Sequence, residues 1–212
     1  MRQKHCSNPM LRRILFCLPL LVFTKAGFAE CECLWHGSFA DVQAKTDLVV
    51  SGTVIAGKGN SVDLDIAKTM RGASPTEQVR IWLKREDNCR PEAKLFPTGS
   101  SWVMALQRID QLAPGGFNPS TPNISFGRVG DYQLSSCGGY WLKLSNQHVT
   151  GALVDSPRWA HDPKMSPVLL DLVAAFVAGK VEAPALLEAS REDPALRDLM
   201  LDTRAFMRGD LE

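Results

Sequence analysis

Six cysteines are spread along a chain of 212 residues, and four of them have the spacing to do chemistry. Cys31 and Cys33 flank a single residue, Glu32, while Cys89 and Cys137 stand alone far downstream. Thiols in such a set can form disulfides, act as a redox-active pair or bind a soft metal. A bridge between Cys31 and Cys33 would close a very small, strained ring. Each of the two therefore reaches for a distant partner, and two pairings remain open. Closing loops of that length contributes roughly 4 kcal/mol apiece in the chain-entropy model. No C-x-x-C, no second C-x-C and no Met or His cluster surrounds the pair, which favours structural disulfides over redox or metal chemistry.

Beside these cysteines lie Trp35 and His36. A packed aromatic with a surface histidine is the simplest reading, and contact with a ligand is the sharper one. Glu30, Glu32, Trp35 and His36 together make the candidate binding edge. His148 and His161 show no H-E-x-x-H or similar ligand spacing, and no G-x-S-x-G, P-loop or dinucleotide fingerprint occurs. The stretch Ser136 to Trp141 places Cys137 near glycines and aromatics, but in an order unlike a cysteine hydrolase, and the cysteine is wanted for a disulfide. Asp63 and Asp65 share a strand face and are candidates for a cation, although alternating acids on a β-surface are more often solvated. The expectation is a protein that is not an enzyme, with no catalytic residues, no bound metal and no cofactor.

Compartment decides the state of the thiols. The chain opens with a basic segment, MRQKHCSNPMLRR, an apolar run, ILFCLPLLVF, and a small-residue end with Gly27 and Ala29 at the −3 and −1 positions. That is the anatomy of a secretory signal peptide, and the run is far short of the roughly 20 residues that span a bilayer. Residues 1–29 are expected to leave as the signal, taking Cys6 and Cys17 with them and no stable membrane span behind. A secreted or periplasmic location follows, and it favours oxidation of the four remaining cysteines. With 24 Lys and Arg against 23 Asp and Glu, the balanced charge argues against a nucleic-acid partner.

The elements that must position the cysteines are mostly strands. DLVVSGTVIAG, NSVDLDIAKTM, EQVRIWLKR, SSWVMALQRI, DYQLSSC, YWLKL and HVTGALV are short runs rich in β-branched and aromatic residues, bounded by Gly, Asn, Asp, Ser or Pro. They predict an all-β barrel or sandwich. Gly57-Lys58-Gly59-Asn60 suits a hairpin between the first two runs, and Val62, Leu64 and Ile66 alternate with Asp63 and Asp65. Ser38 can cap a short helix whose Phe39, Val42 and Ala44 turn toward the core. Gln111 to Asp131 is too rich in Pro, Gly, Asn and Ser for a strand and reads as a long loop.

This order of elements and cysteines resembles the netrin-like domain, whose best-known members are the tissue inhibitors of metalloproteinases. The resemblance rests on Cys31-Glu32-Cys33, on FADVQAKTDLVVSGTV, on the KTMRG turn, on Cys89 after the third strand and on YQLSSC ending in Cys137. It covers roughly residues 31 to 150 and is closer to the short bacterial secreted versions, since further cysteines of the animal pattern are missing. It implies an OB-like barrel of five or six strands and the pairings Cys31 with Cys89 and Cys33 with Cys137. In the inhibitors the leading cysteine is the first mature residue, and its α-amine and carbonyl chelate the protease zinc. Here Glu30 would precede Cys31, so an amide nitrogen would replace that amine. Glu32 would also put a charge into a pocket usually apolar. Both departures weigh against inhibition of secreted metalloproteases, which stays one alternative function, a redox or metal-binding cysteine protein being the other.

Past Val154 the pattern turns helical. In SPVLLDLVAAFVAGK, Ser166 suits an N-cap, Pro167 the first helical position and Gly179 the stop. Ala183 to Ser190 predicts a second short helix, and Asp193 to Gly209 a third with Leu196, Leu199, Met200 and Phe206 on one face. The expected layout is a signal peptide over 1–29, a mainly β netrin-like barrel over 30–154 with a short N-terminal helix, and a helical C-terminal extension over 155–212. Its expected role is that of an exported binding module for a protein or envelope component, contacted through the N-terminal edge and barrel loops. Intact-mass analysis of the exported protein, with and without reduction and alkylation, should find a chain starting at Glu30 with all four cysteines oxidised. A start at Cys31 would restore the chelating amine and favour the inhibitor reading.

Overall fold

The computed structural model describes residues 31–85, 88–112, 116–156 and 163–191. The signal segment, Glu30, His161 and the helix expected from Asp193 lie outside the described residues. What is described is mainly β, an OB-like barrel of five strands extended by three more and by short helices.

The chain enters through a one-turn helix, α1 (Phe39–Val42). The Asp41 carboxylate accepts from the Ser38 N–H at 2.8 Å and from Ser38 Oγ at 2.6 Å, which satisfies a free donor at the helix start. Phe39 and Val42 are fully buried. Ala44, expected inside, is exposed. The helix tightens into a 3-10 turn over Gln43–Lys45, whose three residues per turn change which side chains face inward, and Gln43 is the one buried. There its Oε1 accepts from Arg71 Nη1 at 2.5 Å, so the buried amide has a partner.

Five strands close the barrel: β1 (Leu48–Lys58), β2 (Ser61–Arg71), β3 (Gln78–Trp82), β4 (Ser101–Arg108) and β5 (Tyr132–Gln133). Their order is β1-β2-β3-β5-β4, and β4 returns to pair antiparallel with β1. All pairings are antiparallel except β3 with β5. Register shifts in the β1–β2 ladder, between Val49 and Val50, Ser51 and Gly52, and Val54 and Ala56, mark the irregularities that let two long strands coil around a small barrel. The period-2 pattern does what it predicts: Val62 and Leu64 are buried, Asp63 and Asp65 point outward. Inward residues such as Val50, Val54, Leu64, Ile81, Met104 and Leu106 fill the interior.

The edge of β4 is shared. Gln107 and Arg108 face β5, whereas Ser101 to Met104 face β6 (Trp141–Ser145). β6 continues into β7 (His148–Gly151), and β7 pairs with β8 (Val168–Leu169). Here the structure corrects the sequence reading: Ser166 and Pro167 do not start a helix. Val168 pairs with Val149 and Leu169 with His148, so backbone that was expected to be helical is taken into the sheet. α2 (Leu170–Val177) begins only after it and ends as expected at Gly179, φ +70°. The Lys180 N–H reaches Ala175 O and the Gly179 N–H reaches Phe176 O, the double bond pattern of a glycine-terminated helix. α3 occupies Ala183–Ser190, as expected. Leu170, Val173, Val177 and Leu186 join the same buried cluster as the barrel strands, so the described helices complete the barrel core.

One polar residue ties the hairpin to the long loop. Gly59, φ +61°, lies so close to Asn123 O, 1.8 Å from where a Cβ would stand, that a side chain is excluded there. Next to it, buried Asn60 donates from Nδ2 to Leu83 O at 3.1 Å and Ser125 O at 2.8 Å, and accepts from the Ser125 N–H at 2.9 Å. All three side-chain bonds hold segments distant in sequence, so Asn60 substitutes for ladder hydrogen bonds that the loop lacks. Asn60→Ala should destabilise the fold by about 3 kcal/mol, because the loop carbonyls and amide are left buried without partners. Chemical denaturation measures this, and a loss below about 1 kcal/mol would show that the loop is held by other contacts.

Candidate functional site

Residues 31 to 37 precede α1 as extended chain without a strand of their own. Their side chains alternate as in any extended segment: Cys31, Cys33 and Trp35 are half-buried, while Glu32, Leu34 and His36 are exposed. Inward cysteines carry the anchors. Cys31 is bonded to Cys89 and Cys33 to Cys137, with Cα atoms 5.3 and 5.8 Å apart, the pairing that the netrin-like resemblance implies. Each bond spans a long stretch of chain, 58 and 104 residues, and so removes much freedom from the unfolded state.

Hydrogen bonds continue where the disulfides stop. The His36 N–H donates to Cys137 O at 2.7 Å, the Gly139 N–H to Gly37 O at 2.9 Å, and the Phe39 and Ala40 N–H groups to Ala152 O and Leu153 O at 2.7 and 2.9 Å. Gly139 is needed for this approach, since a Cβ there would stand 2.6 Å from Ala152 O and 2.7 Å from the Phe39 nitrogen. His36 Nδ1 lies 2.9 Å from Tyr140 Oη, and burial raises the Tyr140 pKa. The histidine is thus an exposed residue joined to a tyrosine by one hydrogen bond.

The outward row is Glu32, Leu34 and His36, with Leu34 81% exposed. Leu34 is absent from the edge expected from the sequence, and Trp35, which was included, lies on the cysteine side. Parity would have found both: once two cysteines one residue apart turn inward, Trp35 follows them and Leu34 faces solvent with Glu32.

All four sulfur atoms lie within 4.8 Å of one another. Four thiolates at such separations suit a tetrahedral soft-metal site, but in this state every one is used in a disulfide, leaving no thiolate to act as ligand. Asp63 is equally engaged. Arg80, opposite it in the β2–β3 register, donates from Nε at 2.7 Å and Nη2 at 2.9 Å. This bond holds the Asp63 carboxyl below the usual carboxylate range. Asp65 takes a long bond from Gln78 at 3.4 Å. His148 Nδ1 faces Asn146 O at 2.8 Å.

Beside Cys89, two open clefts of about 230 and 410 Å³ share Arg90 and Gln133 as lining residues. Arg90 donates from Nη1 to Phe126 O at 2.7 Å and from Nη2 to Gln133 Oε1. Sequence reading passes over it, because an arginine in a Cys-Arg-Pro stretch carries no motif. No family model, no curated protein and no solved structure matches the chain.

Removing one anchor tests how much the edge depends on it. The double variant Cys33→Ser, Cys137→Ser, which leaves no lone thiol, should lose about 2–5 kcal/mol of stability. Hydrogen exchange should show the His36 amide unprotected while the β1–β4 amides stay protected at lower overall stability. Unchanged protection at His36 would mean that the hydrogen bonds position the edge without the staple.

Proposed function

We propose that this protein is an exported binding module of the netrin-like kind, which offers residues 32 to 36 as a rigid ridge to a protein or envelope component. The observation that carries the reading is Leu34, 81% exposed in the middle of a segment anchored by two disulfides and a run of backbone hydrogen bonds. A large apolar side chain in water is unremarkable by itself. On a segment that has already lost its conformational freedom, it can be buried by a partner with little further ordering cost. Glu32 and His36 on either side supply a polar rim that sets orientation, the usual surround of an apolar anchor.

Export underlies the scheme, because both anchors need an oxidising compartment. Among the described residues no helix is long and apolar enough to cross a membrane. The signal-like N-terminus is the route proposed for export, with a secreted or periplasmic destination. No catalytic role is proposed. Inhibition of a metalloprotease remains the second reading, favoured by one feature: the cross-linked Cys31-Glu32-Cys33 run, with residue 32 turned outward, is arranged as a substrate-like insertion.

The test is binding of the purified, oxidised protein to the envelope and secreted fractions of its own source cells, compared with Leu34→Glu. The variant should keep its Tm, since Leu34 packs little, and lose at least tenfold in affinity, about 1.4 kcal/mol. Equal binding by Leu34→Glu would remove the ridge from the interface. Inhibition of a zinc protease by wild-type protein starting at Cys31 would instead establish the second reading.

A further inference from the structure

Arg90 is a half-buried guanidinium without a counter-ion among the described residues. Its two hydrogen bonds go to neutral oxygens, Phe126 O at 2.7 Å and Gln133 Oε1, and no ion pair to it occurs among the described residues. Arg80, Arg128 and Arg191 differ, with Asp63, Asp131 at 3.3 Å and Glu188 at 2.7 Å as counter-ions, and Arg71, which also lacks an ion pair among the described residues, spends three hydrogen bonds on Gln43 and Thr46. A guanidinium carries five N–H donors, so three of those on Arg90 remain for something else. Burial without a charge partner is costly, and it pushes the Arg90 pKa down to about 10, which leaves the group charged at neutral pH.

The space beside it is a cleft, not packed core. Arg90 and Gln133 line both the 410 Å³ and the 230 Å³ clefts. Arg108 stands on the wall of the larger one, and Asn88 on that of the smaller. Asn88 adds a second, independent observation. Its Oδ1 accepts from the Arg85 N–H at 2.9 Å, which fixes the amide orientation. Its Nδ2 is buried and has no hydrogen-bond partner among the described residues. Such orphan donors are rare and mark a missing acceptor. The acid on the wall among the described residues, Asp110, has a side chain 78% exposed and leans on Arg108 at 3.8 Å, so it does not neutralise Arg90.

We propose that this double cleft is a binding site for a small acidic ligand, whose oxyanion sits on Arg90 and accepts from Asn88 Nδ2, with Arg108 adding charge at the mouth. A carboxylate and a sulfate or phosphate share the required chemistry, several acceptor lone pairs around one negative centre. The combined space holds a ligand body as well as the anionic group. The site uses none of the residues of the Leu34 ridge, so the two proposals stand or fall separately.

The test uses the oxidised mature protein. Isothermal calorimetry with sodium succinate, sodium sulfate and inorganic phosphate, each at constant ionic strength against chloride, gives the affinity, and the Arg90 Nε–H resonance gives the place. The expected result is a saturable shift of that resonance with at least one probe. A response to succinate alone identifies a carboxylate ligand, and one to sulfate or phosphate identifies a tetrahedral oxyanion. Asn88→Asp keeps the acceptor for the Arg85 N–H but puts a carboxylate oxygen where the orphan donor was, and should weaken binding at least tenfold. Arg90→Lys, which keeps the charge and loses the fork, should do the same. No saturable shift with any of the three anions, or full affinity in both variants, overturns the proposal.

Discussion

The position of the N-terminal segment depends on two covalent bonds. Up to His36 it belongs to no strand, so sheet hydrogen bonding cannot place it, and its own sequence is too short and too mixed to bury a core. Cys31–Cys89 and Cys33–Cys137 hold it against two parts of the chain that lie far apart in sequence but meet on the barrel. One is the stretch after β3, the other the stretch between β5 and β6. Because the Ser136 N–H also donates to Cys89 O at 3.0 Å, the two anchor points are fixed relative to each other. The segment between them inherits the rigidity of the barrel.

That barrel is unevenly closed. β1 and β2 pair over their whole length, whereas β3 and β5 meet only through Ile81 with Tyr132 and Trp82 with Gln133. Side chains reinforce this thin seam: Trp82 Nε1 donates to Asp131 Oδ2 at 2.8 Å, and Arg90 reaches Gln133. The long loop before β5 is held by Asn60 rather than by a ladder. The clefts around Arg90 open beside this seam, with Gln133 of β5 on the wall of both.

Much of the fold is legible in the sequence because it follows from patterns that act locally. Alternation in VDLDI shows which face of β2 is inside, Gly59-Asn60 marks the hairpin, and Ala183–Ser190 announces its helix. The failures have a common cause, contacts made at long range. Val168 and Leu169 are helix-compatible residues captured by β7, a partner that no local pattern reveals. Gln43 replaces Ala44 in the interior because Arg71 waits there to bond it. The sulfur pairing followed from a resemblance and not from the spacing alone, which left two schemes open. Arg90 and Asn88 have no signature at all, since what distinguishes them is the acceptor they lack in the folded chain.

The closeness of the four sulfur atoms, all within 4.8 Å, also bears on how the protein matures. With all four sulfur atoms so near one another, proximity by itself does not select the correct bonds. Selection comes from direction: joining Cys33 to Cys89 and Cys31 to Cys137 would reverse the run of the segment. It would then pull His36 away from Cys137 O and Phe39 from Ala152 O. The backbone lacing downstream is thus compatible with one run of the segment only, and the pairing observed is the one that keeps it.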